Sequence, residues 1–322
     1  MVLEDSGQST QDMMVFKDTS VKIIDEIKKA IIGKDELSRD MLIALFSEGN
    51  IILDGVPGLA KTSIVKSFAS TIDLDFKRIQ FVPDLLPSDI TGSYVYNQKD
   101  ASFTLRKGPI FTNLLLVDEV NRASPKTQSS LLEAMEEKQV TIEGTTFTLP
   151  HPFMVITTQN PIDIVGTFPL PEAQIDRFMF KLNVEYPGWD DELTMLFLKN
   201  EETVTPIDKV LTRDNVVNMV QMVKRVYVDV KVMEYIRAII MASRSHEKLM
   251  LGGSPRASIA LMKASKAFAA IEGRDYVVPD DVKLLAPKIL NHRLIIKPEY
   301  AFDNITPMDI IDELLDSIDV PS

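Results

Sequence analysis

Lys61 and Thr62 close the stretch LDGVPGLAKT at 53–62, behind Gly55 and Gly58 and ahead of the run Ser63-Ile64-Val65-Lys66. An ammonium and a hydroxyl at the end of a glycine-containing turn suit a triphosphate: the first meets the β- and γ-phosphates, the second ligates Mg²⁺. The apolar residues Ile51, Ile52 and Leu53 precede the turn, so the order reads strand, loop, helix. In that order successive backbone N–H groups converge on an anion at a helix N-terminus. The glycines let the backbone close without Cβ clashes. The pattern G-x-x-x-x-G-K-[ST] runs through Gly55, Val56, Pro57, Gly58, Leu59, Ala60, Lys61 and Thr62, with Ser63 next, and Ala60 stands where a glycine is expected. Alanine is tolerated at a helix start, so the departure reads as mild. A surface turn before a basic helix start is the bland alternative.

A second group lies downstream. Leu114, Leu115, Leu116 and Val117 end in Asp118 and Glu119. An apolar run without alternation suits a central parallel strand, and the C-terminal ends of such strands are where ligands sit. Asp118 is then placed to hold Mg²⁺ through water, and Glu119 to orient and polarise an attacking water. Asn160, at the end of another strand, offers an amide to that water or to the γ-phosphate, although a turn role before Pro161 competes. Arg177 precedes a strand, where it either reaches a neighbouring subunit as an arginine finger or pairs with a carboxylate. Arg256 falls in the first turn of a helix, where the dipole disfavours a cation, so its placement suggests an external anion.

These residues need a frame. Val21, Ile24, Ile27 and Ile31 predict a helix over 19–32 with Thr19 or Ser20 as N-cap, and Gly33 stops it before a second helix from Asp35 to about Phe46. Between them, Ile31, Ile32, Gly33 and Lys34 either wrap an adenine ring or form a plain helix–helix turn. A strand at 76–81 is followed by a Pro- and Gly-rich stretch at about 83–110, read as a helix–hairpin insertion. Ser124 and Pro125 open a helix with Leu131, Leu132 and Met135 on its apolar face. A hairpin follows at about 140–152, then strands at 153–157 and 178–184. Alternating strands and helices up to Tyr186 predict an α/β domain with a largely parallel sheet. After Pro187-Gly188 the periodic segments are helical, with a break or kink expected at Pro287. The expected division is a flexible tail at 1–17, an α/β core at 18–187 and an α-helical lid at 188–322.

At 322 residues the chain is long enough for two domains, and 45% hydrophobic with 25% charged residues is an ordinary globular composition. No long uncharged apolar segment predicts a transmembrane helix. The polar, acidic N-terminus lacks the features of a secretion signal. Absence of cysteine excludes disulfides and Cys-based zinc sites and is compatible with a reducing cytoplasm. A net charge of −12 opposes nonspecific nucleic-acid binding, and no basic run with interleaved aromatics offsets it. His151, His246 and His292 show no ligand spacing and read as structural.

The motifs GVPGLAKT at 55–62, LLLVDEVNRASPKTQSSLLEAMEEKQVT at 114–141, TTQNP at 157–161, FPLPEAQIDRFMF at 168–180 and GGSPRAS at 252–258 resemble the MoxR-type AAA+ ATPases of the helix-2-insert clade. The likeness spans the chain from about Asp18 to the last helices. It implies an AAA+ P-loop NTPase, with a parallel-sheet αβα core and a smaller all-α lid. It also implies Walker A at 55–62, Walker B at Asp118 and Glu119, sensor 1 at Asn160, an arginine finger acting in trans at Arg177, and sensor 2 at Arg256. Ala60 is the form usual in that family, Arg122 belongs to its pattern without a clear role, and Gly252-Gly253 replaces the commoner Gly-Ala. The stretches at 83–110 and 140–152 fit its helix-2 insert and pre-sensor-1 hairpin.

Such proteins resemble hexameric, ring-forming, chaperone-like remodelling factors, with von Willebrand factor A-domain partners and in some cases metal-cofactor insertion. The leading expectation is therefore a cytoplasmic Mg²⁺-dependent ATPase that remodels a protein partner. A nucleic-acid-stimulated motor and a nucleotide-gated scaffold with little turnover are the alternatives. Salt-dependent nucleic-acid binding would mark the first, and ATP held uncleaved the second.

Overall fold

In the computed structural model, which describes residues 2–56, 58–160, 166–200 and 206–321, the chain opens on a long helix, α1 (Val2–Ala30), followed by α2 (Asp35–Phe46). Alternation then runs β1 (Ile51–Asp54), α3 (Lys61–Thr71), β2 (Phe76–Gln80), α4 (Pro87–Thr91), β3 (Gly92–Asn97), β4 (Ser102–Lys107) and β5 (Leu114–Asp118). A 3₁₀ turn (Val120–Arg122) leads into α5 (Pro125–Glu137), β6 (Gln139–Ile142), β7 (Thr145–Thr148), β8 (Met154–Gln159), α6 (Glu172–Ile175) and β9 (Phe180–Asn183). The rest is mainly helical: α7 (Trp189–Asn200), α8 (Arg213–Arg225), α9 (Val230–Ser245), β10 (Leu249–Leu251), α10 (Pro255–Ile271), α11 (Pro279–Leu290), β11 (Ile295–Ile296), α12 (Pro298–Ala301) and α13 (Pro307–Ser317).

Five strands form one parallel sheet in the order β2-β5-β8-β1-β9. Their sequences dictate which edge is polar. Each begins on an apolar residue (Ile51, Phe76, Leu114, Met154, Phe180) and ends on a polar one (Asp54, Gln80, Asp118, Gln159, Asn183). Register aligns those ends: Gln80 lies opposite Asp118, and Asp54 opposite both Gln159 and Asn183. β5 is buried along its whole length, as its unbroken apolar run requires.

Alternate side chains on β5 enter different cores. Leu114 and Leu116 join a cluster with α1, α2, α3 and the lid helices, whereas Leu115 and Val117 join one with α4 and α5. The first cluster continues without a break into Leu261 of α10, Leu285 of α11 and Ile310 of α13, so the helical part shares a core with the sheet domain. Two hairpins, β3–β4 and β6–β7, stand off the sheet. Among the described residues, no helix is long and apolar enough to cross a membrane.

The flexible tail expected at 1–17 is not found over its described residues, 2–17, because α1 starts at Val2 and buries Met13 and Phe16 on the face that carries Ile23 and Ile27. Phe16 stacks edge-on against Phe46 of α2 at 5.0 Å between centroids. The Thr19 and Ser20 hydroxyls bond back to the carbonyls of Val15 and Phe16, at 2.7 and 2.9 Å, instead of capping a new helix. The apolar run Met13-Met14-Val15-Phe16 puts only its first and last residues on the buried face, so its part in an amphipathic helix does not show in the sequence. Of the break or kink expected at Pro287, the break does not occur: Pro287 lies inside α11, which continues to Leu290.

Candidate functional site

The loop between β1 and α3 delivers the first functional residues. Its last residue, Ala60, holds φ 55° and ψ 22°, the left-handed region that glycine adopts at no steric cost. The substitution that reads as mild in the sequence is therefore a strained one, held in place by the turn. α3 has no acidic residue in its first turn to offset its dipole, so its N-terminus presents an uncompensated partial positive charge. The Lys61 ammonium folds back on the loop, donating to Gly55 O and, at 3.4 Å each, to Val56 O and Gln159 O. Burial pushes its pKa down, and Asp54, Asp118 and Glu119 oppose that shift. Pro57 lies outside the described residues.

A crevice of about 360 Å³ brings together Lys61, Thr62, Asp118, Glu119, Thr158 and Asn160. Asp118 is buried; its Oδ1 accepts from Thr158 Oγ1 at 3.1 Å, and its Oδ2 lies 3.5 Å from Thr62 Oγ1. Arg78 of β2 donates its Nε to the same Oδ2 at 2.5 Å. Glu119 has a left-handed backbone (φ 56°), fixed where its N–H meets Thr158 Oγ1 at 3.0 Å and its carbonyl accepts from Arg122 N at 2.9 Å. Strain of this kind collects at functional positions. Its Oε2 accepts from Gln80 Nε2 at 2.6 Å and pairs with Arg122 Nε at 2.9 Å. Asn160 is buried at the end of β8.

An adjoining cavity of about 660 Å³ shares Gly58, Leu59, Ala60 and Ser63 with that crevice and adds Ile31, Ile32 and Val184. A polar half and an apolar half thus meet at the loop. Gly33 (φ +69°) makes the turn from α1 into α2 in the left-handed region that favours glycine, with Asp191 of α7 close by.

Arg177 and Arg256 are elsewhere. Both line a separate crevice of about 380 Å³ that includes Gly49 and Asn50, which precede β1, whereas the phosphate-binding pattern follows it. The two crevices therefore lie at opposite ends of a strand roughly 13 Å long. Arg177 Nη1 pairs with Glu136 Oε2 at 2.6 Å, and Arg256 Nη2 with Glu136 Oε1 at 2.5 Å. An internal carboxylate thus stands where the sequence suggests an external anion for Arg256. Ser254 caps α10 and also donates to both oxygens of Asp176 at 2.9 Å. Arg293, a buried residue after α11, donates to Asp176 Oδ1 at 2.8 Å and to Phe178 O at 2.6 Å.

Sequence reading missed Arg78, Gln80, Thr158 and Glu136. The first two sit two apart on β2 and so share a face, and Gln80 matches the polar strand ends around it. Thr158 and Glu136 carry no local signal.

Over residues 50–180 the chain matches the ATPase family associated with various cellular activities (AAA), and over 241–314 the AAA lid domain. It is 46% identical over 301 residues to a Bacillus subtilis protein named as uncharacterized protein YeaC, across 93% of this chain and 94% of that one. Chaperone MoxR1 of Mycobacterium tuberculosis is 40% identical over 314 residues, 94% of this chain and 82% of that protein. A Cytophaga hutchinsonii crystal structure, provisionally named an ATPase, superposes with a TM-score of 0.92 at 38% identity over 100% of both chains. A phosphate-loop crevice on a five-stranded parallel sheet, a helical lid and relatives matched nearly end to end agree: the chain belongs to the MoxR family of AAA+ ATPases.

Proposed function

We propose that this ATPase hydrolyses Mg·ATP at interfaces between the subunits of a hexameric ring, and that the cycle remodels or matures a protein client in the cytoplasm. The observation that carries this reading is the separation just described: the loop, both carboxylates and Asn160 line one crevice, and the two arginines line another. A chain folded this way completes a site when its arginine edge faces the loop of a neighbour. The chaperone-like role is supported by the name of the relative Chaperone MoxR1, and a von Willebrand factor A-domain partner by the family resemblance.

In this reading Lys61 exchanges its carbonyl partners for β- and γ-phosphate oxygens, and the α3 N-terminus adds backbone donors. Ile32 and its neighbours flank the base, with Gly33 making the turn that allows it. The Thr62 hydroxyl and Asp118 carboxylate, 3.5 Å apart, are the hard oxygen donors that Mg²⁺ prefers, and few protein ligands suffice when phosphates supply the rest. When bound, Mg²⁺ would neutralise charge on the β- and γ-oxygens. Asn160 positions the γ-phosphate or the water, and Glu119 accepts the proton of the attacking water. Gln80 and Arg122 restrain Glu119, so its carboxylate must turn from them to work.

Glu119→Gln tests the assignment. The variant is expected to bind ATP normally while phosphate release falls by a factor on the order of 10² to 10⁴. Turnover at the wild-type rate would remove Glu119 from the mechanism. In ATP the same variant should retain its client on affinity capture, where a nucleic acid recovered in place of a protein would argue against the remodelling reading.

A further inference from the structure

Glu136 lies one residue before the end of α5, and its two oxygens serve two different parts of the chain. Oε2 takes Arg177, which follows α6 in the sheet domain, and Oε1 takes Arg256 in the first turn of the lid helix α10. We infer that Glu136 is a positioning residue: its single carboxylate holds Arg177 and Arg256 side by side so that both reach one phosphate on a neighbouring subunit. This rests on the reading that these arginines act on a neighbour.

Two guanidinium groups converging in one crevice repel each other, and a carboxylate between them offsets that cost. Arg256 needs the offset more, since the α10 dipole already disfavours a cation there. Both segments are pinned separately, because Asp176 accepts from Ser254 at the α10 cap and from the buried Arg293 after α11. Side-chain direction is what remains, and Glu136 holds both guanidinium groups at hydrogen-bond distance, whereas Asp176 Oδ2 stands 3.9 Å from Arg256 Nη1. Arg177 gives up only Nη1, to Glu136 and to Leu132 O at 3.3 Å, and Arg256 gives Glu136 only Nη2. A guanidinium carries five donors, so a fork remains on each for phosphate oxygens. With side-chain exposures of 31%, 39% and 48% for Arg177, Glu136 and Arg256, the trio is open to a partner, unlike the buried Arg293 clasp.

Mixed assemblies test this with the full chain. Glu119→Gln subunits, which keep their arginines, are mixed with Arg177→Ala subunits, which keep their hydrolytic residues, and ATPase activity should return. A Glu119→Gln/Glu136→Ala double variant mixed with Arg177→Ala should restore about tenfold less, the cost of misaligned donors. Equal rescue by both donors overturns the role of Glu136 and leaves action on a neighbour intact. Failure of the first mixture overturns that underlying reading, and the positioning role with it. By itself Glu136→Ala should lower kcat about tenfold while KM for ATP stays within about twofold, because the loop crevice is untouched. Glu136→Gln, which keeps the shape and one acceptor oxygen, should fall between it and wild type. An unchanged kcat in both, or a loss expressed wholly in KM, would overturn the proposal.

Discussion

At the C-terminal edge of the sheet, Asp118, Glu119 and Asn160 gather around Lys61 and Thr62, and the arginine that enters, Arg78, is bound to Asp118. At the N-terminal edge Arg177 and Arg256 share Glu136 beside the turn that carries Gly49. In the proposed reading one edge receives a phosphate chain and the other approaches one. Each also carries a half-buried or buried lysine, and the contrast extends to these. Lys61 has three carboxylates opposing the loss of its charge, whereas Lys138 is pushed by burial down to about 8, with Glu48 opposing the shift and Lys263 adding to it.

The sharpest break of this comparison is Lys61→Ala, which should abolish ATP binding in a direct binding assay, since no other side chain replaces its charge in the loop. Survival of binding would mean that the backbone and helix dipole suffice. Next in size, Arg177→Ala should leave ATP affinity unchanged and lower kcat by about 10³, the lower bound for an arginine finger. A matching loss of affinity would place Arg177 at its own subunit's nucleotide. Smaller is the effect of Lys138→Met on stability. Between pH 8 and 10.5 the unfolded lysine holds its proton and the folded one releases it, so stability rises with pH across that window. Thermal unfolding of the variant should lack this rise, worth on the order of 3 kcal/mol. If both chains gain equally, Lys138 is charged when folded. The smallest effect belongs to Ala60→Gly, where relief of roughly 1 kcal/mol of left-handed strain is set against a similar gain in unfolded-chain entropy. Its denaturation midpoint should barely move, and a clear loss would reveal packing by the Ala60 methyl.

Much of the C-terminal edge is legible from single segments. Strand, loop and helix are adjacent at 51–71, and the carboxylates directly follow the apolar run that buries β5. Continuity of α1 is not legible, because the short apolar run Met13-Met14-Val15-Phe16 has no helical spacing of its own, and which of its residues are buried is decided only against Phe46 and the lid. The sheet fixes Thr158 beside Asp118 through strand pairing across 40 residues, a register that no local pattern encodes.

By itself, then, the sequence determined which strand ends are polar, where the candidate phosphate-binding loop lies and which family the chain resembles, because those properties reside in consecutive residues. Tertiary structure alone decided that Arg177 and Arg256 stand apart from the loop, and that Glu136 joins them over 41 and 120 positions of chain. Long-range charge pairs depend on how α5, α6 and α10 pack, and packing is a property of buried surfaces that meet only after the chain has folded.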